Sequence, residues 1–364
     1  MRALASSPVV DRRPPPLRLM IVDDSVVARA VLTRMIEADG GFEIAAVAGT
    51  AEAAIDALAN VHVDIVLLDL EMPGAGGLKS IPAILRAARG ARVMIVSSTA
   101  EEGAEETVAA LALGAADTLP KPGTGRFNGR FSEVLLARLR ALGPAGATDL
   151  SQRRVSPSSP STASPMLRAM PNQPLELLAL GASTGGIHAL GTFFQYLPRR
   201  IGAPILVTQH LPPAFMTVFA RQLGVSAGRP ALVAIDGMSL AADTVIIAPG
   251  DAHLTIEGGA AEPIVRLTRT AVPSGCMPSV DPMFAAAGRL FGAGALGVVF
   301  SGMGRDGVEG ASALVTSGGA VLAQDEASSA VWGMPRVIAE GGFAAAILPP
   351  DKLARRVASR CGDC

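Results

Sequence analysis

The run Leu177-Leu178-Ala179-Leu180-Gly181-Ala182-Ser183-Thr184-Gly185-Gly186 constrains this chain more than any other stretch. An apolar run with strand character passes into a glycine-rich turn that holds a serine, and a helical pattern follows. A strand that turns directly into a helix belongs to a parallel α/β layer, where turn side chains and amides collect at the carboxyl edge of the sheet. A serine there is informative only if other strand ends bring a base and a carboxylate beside it. His210 and Asp306 stand at two such ends.

Composition narrows the setting. With 364 residues, 49% of them hydrophobic, the chain is too long for one ordinary domain and can bury at least two cores. A net charge of -1 supplies no electrostatic ground for binding nucleic acid or an anionic membrane surface. Residues 1–16 carry Arg12, Arg13 and Pro14-Pro15-Pro16 but no apolar core, so they do not read as a secretory signal. No apolar stretch of membrane-spanning length is free of glycine, proline or charge, and no membrane insertion is expected. Three cysteines cannot build a disulfide framework and fit a reducing compartment. The expectation is a cytoplasmic protein, with a monomer as the default state.

From Gly143 to Pro174 the chain turns rich in Ser, Pro, Ala and Thr, with few large apolar residues to offset its ordering entropy. Residues 143–174 therefore read as a flexible linker between domains at 18–142 and 175–360, and 1–17 as a disordered extension. In the first domain, strands are expected at Leu19–Val22, Glu43–Ala48, Ile65–Leu68, Val93–Val96 and near Thr118. Helical stretches between them predict a doubly wound, flavodoxin-like sheet of five parallel strands. In the second, strands at Leu177–Leu180, Ile205–Thr208, Thr244–Ile247, Leu296–Phe300 and Ala320–Ala323 predict another α/β layer with a mainly parallel sheet. A hairpin is expected around His253 to Thr268.

The first domain has its own polar set. Asp23 and Asp24 follow the first strand, and Asp69 ends the third. Parallel neighbours end at one edge, so the three carboxylates should converge and suit a hard divalent cation such as Mg²⁺. Ser97 closes the fourth strand and Lys121 follows the fifth, a hydroxyl and an ammonium suited to phosphoryl oxygens. The chemistry implied is phosphoryl transfer to Asp69. With these residues in this order, the domain resembles the receiver domain of two-component response regulators. The resemblance implies phosphorylation of Asp69, Mg²⁺ held by Asp23, Asp24, Asp69 and the carbonyl of Glu71, and a readout through Ser97 and Lys121. Two positions depart from it: Gly76 replaces a common aspartate, and Thr118 an aromatic switch residue.

In the second domain Ser183 needs a base, because a serine hydroxyl is a poor nucleophile at neutral pH. Of the four histidines, His62 lies in the first domain, His188 falls about one helical turn beyond Ser183, and His253 follows another strand. His210 follows the strand one strand-helix-strand step from Ser183, which predicts that the two lie side by side. Among carboxylates, Asp306 in Ser301-Gly302-Met303-Gly304-Arg305-Asp306-Gly307 has the glycine-dense strand-end setting that Asp236, Asp243 and Asp281 lack. The N–H groups of Thr184 and Met303 are candidates for an oxyanion hole.

Residues 175–360 resemble the catalytic domain of the chemotaxis receptor methylesterases, the CheB family. The stretches that carry the resemblance are Gly181–Gly186, Gln209-His210-Leu211-Pro212, Ala248-Pro249-Gly250-Asp251, Pro278-Ser279-Val280-Asp281, Ser301–Gly307 and Gly333-Met334-Pro335-Arg336. The resemblance implies a protein-glutamate methylesterase that also deamidates glutamine. Ser183 would attack, His210 would move the proton and Asp306 would orient the imidazole. The substrate implied is the cytoplasmic helices of methylated chemoreceptors, and the phosphodonor a chemotaxis histidine kinase. Mg²⁺ would serve the receiver, and ester hydrolysis would call on no cofactor. In the family the unphosphorylated receiver restricts access to the catalytic face. Cys276 and Met277 depart from a His-Arg pair common before Pro278. Three other classes compete. A dinucleotide oxidoreductase lacks the expected glycine spacing, and a DNA-binding regulator lacks a basic helical output module. A receiver-linked scaffold without catalysis is separated only by a turnover assay. The terminal Cys361-x-x-Cys364 reads as a frayed tail.

Overall fold

The computed structural model describes residues 15–74, 76–97, 103–122, 129–143 and 167–361. The expected N-terminal extension up to residue 14 and most of the expected linker, 144–166, lie outside the described residues.

The first domain alternates β1 (Leu17–Val22), α1 (Val26–Glu37), β2 (Phe42–Ala48), α2 (Ala51–Leu58), β3 (Ile65–Leu68), α3 (Gly77–Ala87), β4 (Arg92–Ser97), α4 (Gly103–Ala112), β5 (Asp117–Pro120) and α5 (Gly129–Leu142). The strands form one sheet in the order β2-β1-β3-β4-β5, all pairs parallel. The two faces follow from strand periodicity. Leu19 and Ile21 pack with Leu32 and Ile36 of α1 and Leu135 and Leu139 of α5. Met20 and Val22 face the other way, against Ala54 of α2, Ile84 of α3 and Val108 of α4. Helix starts are set locally. Ser25 and Thr50 accept the N–H groups of Ala28 and Ala53 at 3.2 Å each, satisfying donors that the helix itself cannot.

The second domain runs β6 (Leu177–Ala182), α6 (Gly186–Tyr196), β7 (Ile205–Gln209), α7 (Pro213–Ala227), β8 (Ala231–Val233), β9 (Val245–Ile247), β10 (His253–Gly259), β11 (Glu262–Thr268), α8 (Val280–Phe291), β12 (Ala295–Val299), α9 (Val308–Thr316), β13 (Ala320–Gln324), α10 (Met334–Glu340), β14 (Ala344–Leu348) and α11 (Pro350–Ala358). Seven strands pair in parallel in the order β14-β13-β12-β6-β7-β9-β8, and β10 with β11 forms the expected antiparallel hairpin. The short half-exposed β8 and the alanine-rich β14 are additions that periodicity had not marked.

β6 is the pivot of this sheet. The chain leaves it toward β7 on one side, and β12 later pairs on its other side. Strand order therefore reverses at β6, which opens a crevice at its carboxyl end, where α/β proteins bind ligands. The domains also pack directly. The core that covers one face of the first sheet is continuous with Leu190 and Phe193 of α6 and Phe219 of α7.

Candidate active site

The turn after β6 is built for close approach. Ser183 N–H donates to Ser301 O at 3.0 Å, and Gly186 N–H returns to Ser183 O at 2.8 Å. Gly185 has φ of 76°, and a Cβ there would fall 2.4 Å from Ala330 Cβ. Only glycine fits both demands. Ser183 thus sits at the end of β6, with His210 at the end of its neighbour β7 and Asp306 beyond its other neighbour β12.

His210 joins the other two. Its Nδ1 lies 3.1 Å from Ser183 Oγ and its Nε2 lies 2.8 Å from Asp306 Oδ2. The carboxylate is buried and fully engaged. Oδ2 also accepts Val280 N–H at 2.7 Å, while Oδ1 accepts the hydroxyls of Ser279 at 2.5 Å and Ser274 at 2.8 Å. Burial pushes this carboxyl up, but the hydrogen bond and charge of His210, with Ser279 and Val280, outweigh it and pull it down to about 2. An ionised Asp306 only accepts, so Nε2 carries the imidazole proton and Nδ1 keeps its lone pair toward Ser183. The arrangement can therefore remove the serine proton and hold the resulting imidazolium against a fixed anion.

Two amides complete the geometry. The N–H groups of Thr184 and Met303 have no protein acceptor among the described residues, although the backbone around them is bonded through Ser183, Gly185 and Gly302. Both residues line a cavity of about 250 Å³ together with Ser183, His210 and Cys276. Asp281, the competing carboxylate, accepts Gly310 N–H at 2.7 Å, while the bond to His210 is made by Asp306. Burial raises its carboxyl, the Gly310 bond opposes this, and the nearby Asp306 charge adds to the rise, to about 6.

Gln209, read in the sequence only as part of the stretch Gln209–Pro212, and His253, weighed there among the histidines, act as supports. Gln209 Nε2 donates to Ser183 O at 3.0 Å and His210 O at 3.3 Å, tying the two turns together. Buried His253 accepts Ser279 N–H at Nδ1 (2.9 Å) and pairs with Thr270 O through Nε2 (3.0 Å), which fixes the segment presenting Ser279 to Asp306. The only sequence signal for either was proximity to a candidate residue or motif.

The polar set of the first domain also converges. Oxygens of Asp23, Asp24 and Asp69 lie within 4.8 Å of one another. Lys121 Nζ bridges Asp69 Oδ2 at 2.6 Å and Asp23 Oδ2 at 2.8 Å. Asp69 is buried, which raises its carboxyl; Lys121 opposes the rise, as does Glu71 N–H, and Asp23 adds to it. An all-oxygen set with two buried like charges fits a hard divalent cation. Ser97 is buried at the end of β4, and the Glu71 side chain is exposed. Gly76, at the start of α3, takes φ of 72°, a backbone that the more common aspartate adopts with difficulty.

The two domains meet over the serine. Gly185 N–H donates to Ala116 O at 2.6 Å, Thr184 Oγ1 to Asp117 Oδ2 at 3.3 Å, and His188 Nδ1 lies 3.0 Å from Ala112 O. Asp117 and Thr118 line the same cavity as Ser183.

Residues 178–357 match the CheB methylesterase model, and residues 19–126 match the response regulator receiver domain. A protein-glutamate methylesterase/protein-glutamine glutaminase of Caulobacter vibrioides is 39% identical over 351 residues, covering 94% of this chain and 99% of its own length. The chain belongs to the CheB methylesterase family. A second relative of the same description, from Paramagnetospirillum magneticum, is 36% identical over 93% of this chain and 94% of its own length. The crystal structure of the Thermotoga maritima CheB methylesterase catalytic domain is 31% identical and covers 51% of this chain and 98% of that one, with a TM-score of 0.49. No helix among the described residues is long and apolar enough to cross a membrane.

Proposed function

We propose that the chain is a receiver-controlled serine hydrolase that removes methyl esters from glutamate side chains of chemoreceptors and deamidates glutamines there. The observation that carries this reading is the His210 ring spanning Ser183 Oγ and Asp306 Oδ2. Family membership supplies the substrate class. In the first step Ser183 Oγ attacks the γ-glutamyl carbonyl as its proton passes to His210 Nδ1. The Thr184 and Met303 N–H groups stabilise the oxyanion, each donor contributing about 3–4 kcal/mol. His210 then protonates the departing methoxide to give methanol, and water activated by the same nitrogen cleaves the ester to Ser183 and releases glutamate. For an amide substrate the leaving group is poorer, so protonation by His210 matters more.

Control comes from the receiver. Asp23, Asp24, Asp69 and the Glu71 carbonyl would hold Mg²⁺, which neutralises charge as a histidine kinase or small phosphodonor phosphorylates Asp69. Phosphorylation gives Lys121 a new oxygen partner. Lys121 directly follows β5, whose first residue, Asp117, touches Thr184. A shift of β5 therefore reaches the covered serine within one strand of about 13 Å. The closed packing restricts a receptor helix, and its release opens the cleft. Arg168 N–H already bonds Ala344 O at 2.9 Å, so the tether between packed domains is shorter than residues 143–174.

The test is methanol release from methylated receptor membranes, with and without acetyl phosphate and Mg²⁺. Release that rises with phosphodonor and vanishes in Ser183→Ala supports the reading; folded protein that releases none favours the scaffold.

A further inference from the structure

Cys276 is a thiol of the cleft that the hydrolytic reading leaves unused. It sits on the loop before α8, where the sequence departs from the family's common pattern. Its Sγ, a ring nitrogen of His210 and a carboxylate oxygen of Asp306 all lie within 4.8 Å of one another. We propose that His210, Cys276 and Asp306 form a binding site for a thiophilic divalent cation such as Zn²⁺, and that the bound ion switches the hydrolase off. The switching half of this inference rests on the hydrolytic reading above; the binding half does not.

The donor set decides the class of ion. Thiolate, imidazole and carboxylate together favour Zn²⁺ over Mg²⁺ or Ca²⁺, which select oxygen alone. Bonds of about 2.3 Å to sulfur and about 2.0 Å to nitrogen or oxygen put ligand atoms of a tetrahedral site roughly 3.3–3.6 Å apart. The three donors lie within 4.8 Å of one another, so side-chain rotation must draw them closer to reach that spacing. The fourth position opens on the cavity of about 250 Å³, where water or Ser183 Oγ can complete the shell.

The surroundings hold the ligands as metal sites do. Ser279 and Ser274 hydroxyls fix Asp306 through Oδ1. Ser274 Oγ also accepts Cys276 N–H at 3.4 Å, so one residue braces both the carboxylate and the thiol. Asp306 is already ionised. Coordination requires the thiolate, so binding displaces the Cys276 proton to solvent and strengthens as pH rises.

Inhibition follows from proton placement. Asp306 faces Nε2, so an ion shared by the three residues takes that nitrogen in place of its proton. The imidazole proton then moves to Nδ1, which donates toward Ser183 and no longer accepts. The base is lost.

The experiment uses full-length protein with Cys361→Ser and Cys364→Ser, which removes the tail thiols, in excess Mg²⁺ to fill the receiver's oxygen site. Co²⁺ is the spectroscopic probe and Zn²⁺ its competitor. One equivalent of Co²⁺ should give a thiolate-to-cobalt charge-transfer band, abolished by Zn²⁺ and absent in Cys276→Ser and Cys276→Ala. Zn²⁺ should suppress methanol release reversibly, with the inhibiting concentration raised about 100-fold in either variant, each measured against its own metal-free rate; losing even an outer-shell partner costs about 10–100-fold. Cys276→His, which keeps a donor without sulfur, should lose the band and retain inhibition. No band, or a band and inhibition unaffected by Cys276→Ser, would overturn the site. A Cys276-dependent band in protein that shows no Ser183-dependent methanol release would support binding and overturn the switch together with the hydrolytic reading.

Discussion

The two polar centres of this molecule use the same scaffold position for opposite ends. Asp69 and Asp306 each lie at the carboxyl edge of a parallel sheet, and each is buried. Asp306 is met by four hydrogen-bond donors and is held down to about 2, so it stays an anion across the working range. Asp69 has one ammonium, one amide and a competing carboxylate, and its carboxyl is raised. Burial is common to both. The number of donors that replace water sets the direction in which a buried carboxyl is pushed, and it suits Asp306 to the orienting role and Asp69 to the cation-dependent acceptor role proposed for them.

The sharpest way to break this contrast is to neutralise each acid without changing its shape. Asp306→Asn leaves His210 without its anion and disturbs the tautomer that points a lone pair at Ser183. The expected loss in kcat is about 10⁴-fold, measured by methanol release, with the fold retained by circular dichroism. A loss under tenfold would remove Asp306 from the orienting role. Asp69→Asn should act on regulation instead, bringing the ratio of rates with and without acetyl phosphate to about one. Undiminished stimulation would show that the phosphodonor works elsewhere.

Asp281 offers a third carboxylate between these extremes. Its rise from 3.8 to about 6 makes the folded state less stable once the group is ionised. The sign is that of a raised acid: stability is lost as pH climbs from 3.8 through about 6. Asp281→Asn keeps the acceptor for Gly310 and removes the charge beside Asp306. Thermal melts should match wild type below about pH 4 and show the variant more stable above about pH 6. Equal curves at every pH would mean that this carboxyl titrates normally.

The smallest effect is expected at the edge of the domain contact. Glu105 of α4 meets Arg221 of α7 at 2.5 Å, with both side chains more than half exposed. Exposed pairs contribute about 0–1 kcal/mol, so Glu105→Ala should raise the unstimulated rate less than about fivefold. A larger rise would place the latch in this pair instead of in the buried contacts of Gly185 and Thr184 with β5.

Much of the fold was legible because the strands carry their own signal. Ile65–Leu68 and Leu177–Leu180 are continuous apolar runs bounded by turn residues, as strands buried on both faces must be. β8 and β14 were not legible. Ala231–Val233 is three residues and half exposed, and Ala344–Leu348 is mostly alanine, which suits helix and strand alike. Ser183, His210 and Asp306 could be singled out because each follows an apolar strand, and parallel strands end at one edge. Ser274 could not, nor could the supporting roles of Gln209 and His253, since serine, glutamine and a lone histidine are common in any loop or core.

What the sequence determines by itself is the inventory: two α/β domains, the strand-end acids, the serine turn and the histidine one crossover away. These depend on local pattern, which is carried by neighbours along the chain. The tertiary structure alone decides adjacency. It puts β12 and β7 on either side of β6, presents Nδ1 of His210 to Ser183, and surrounds Asp306 with donors from two separate segments, the turn after β7 and the loop leading into α8. It also brings Cys276 to the same imidazole and lays β5 over Thr184. Those contacts join residues as far apart in the chain as Leu177 and Ala295. They arise from how layers pack and where a sheet reverses, and no local pattern encodes that choice.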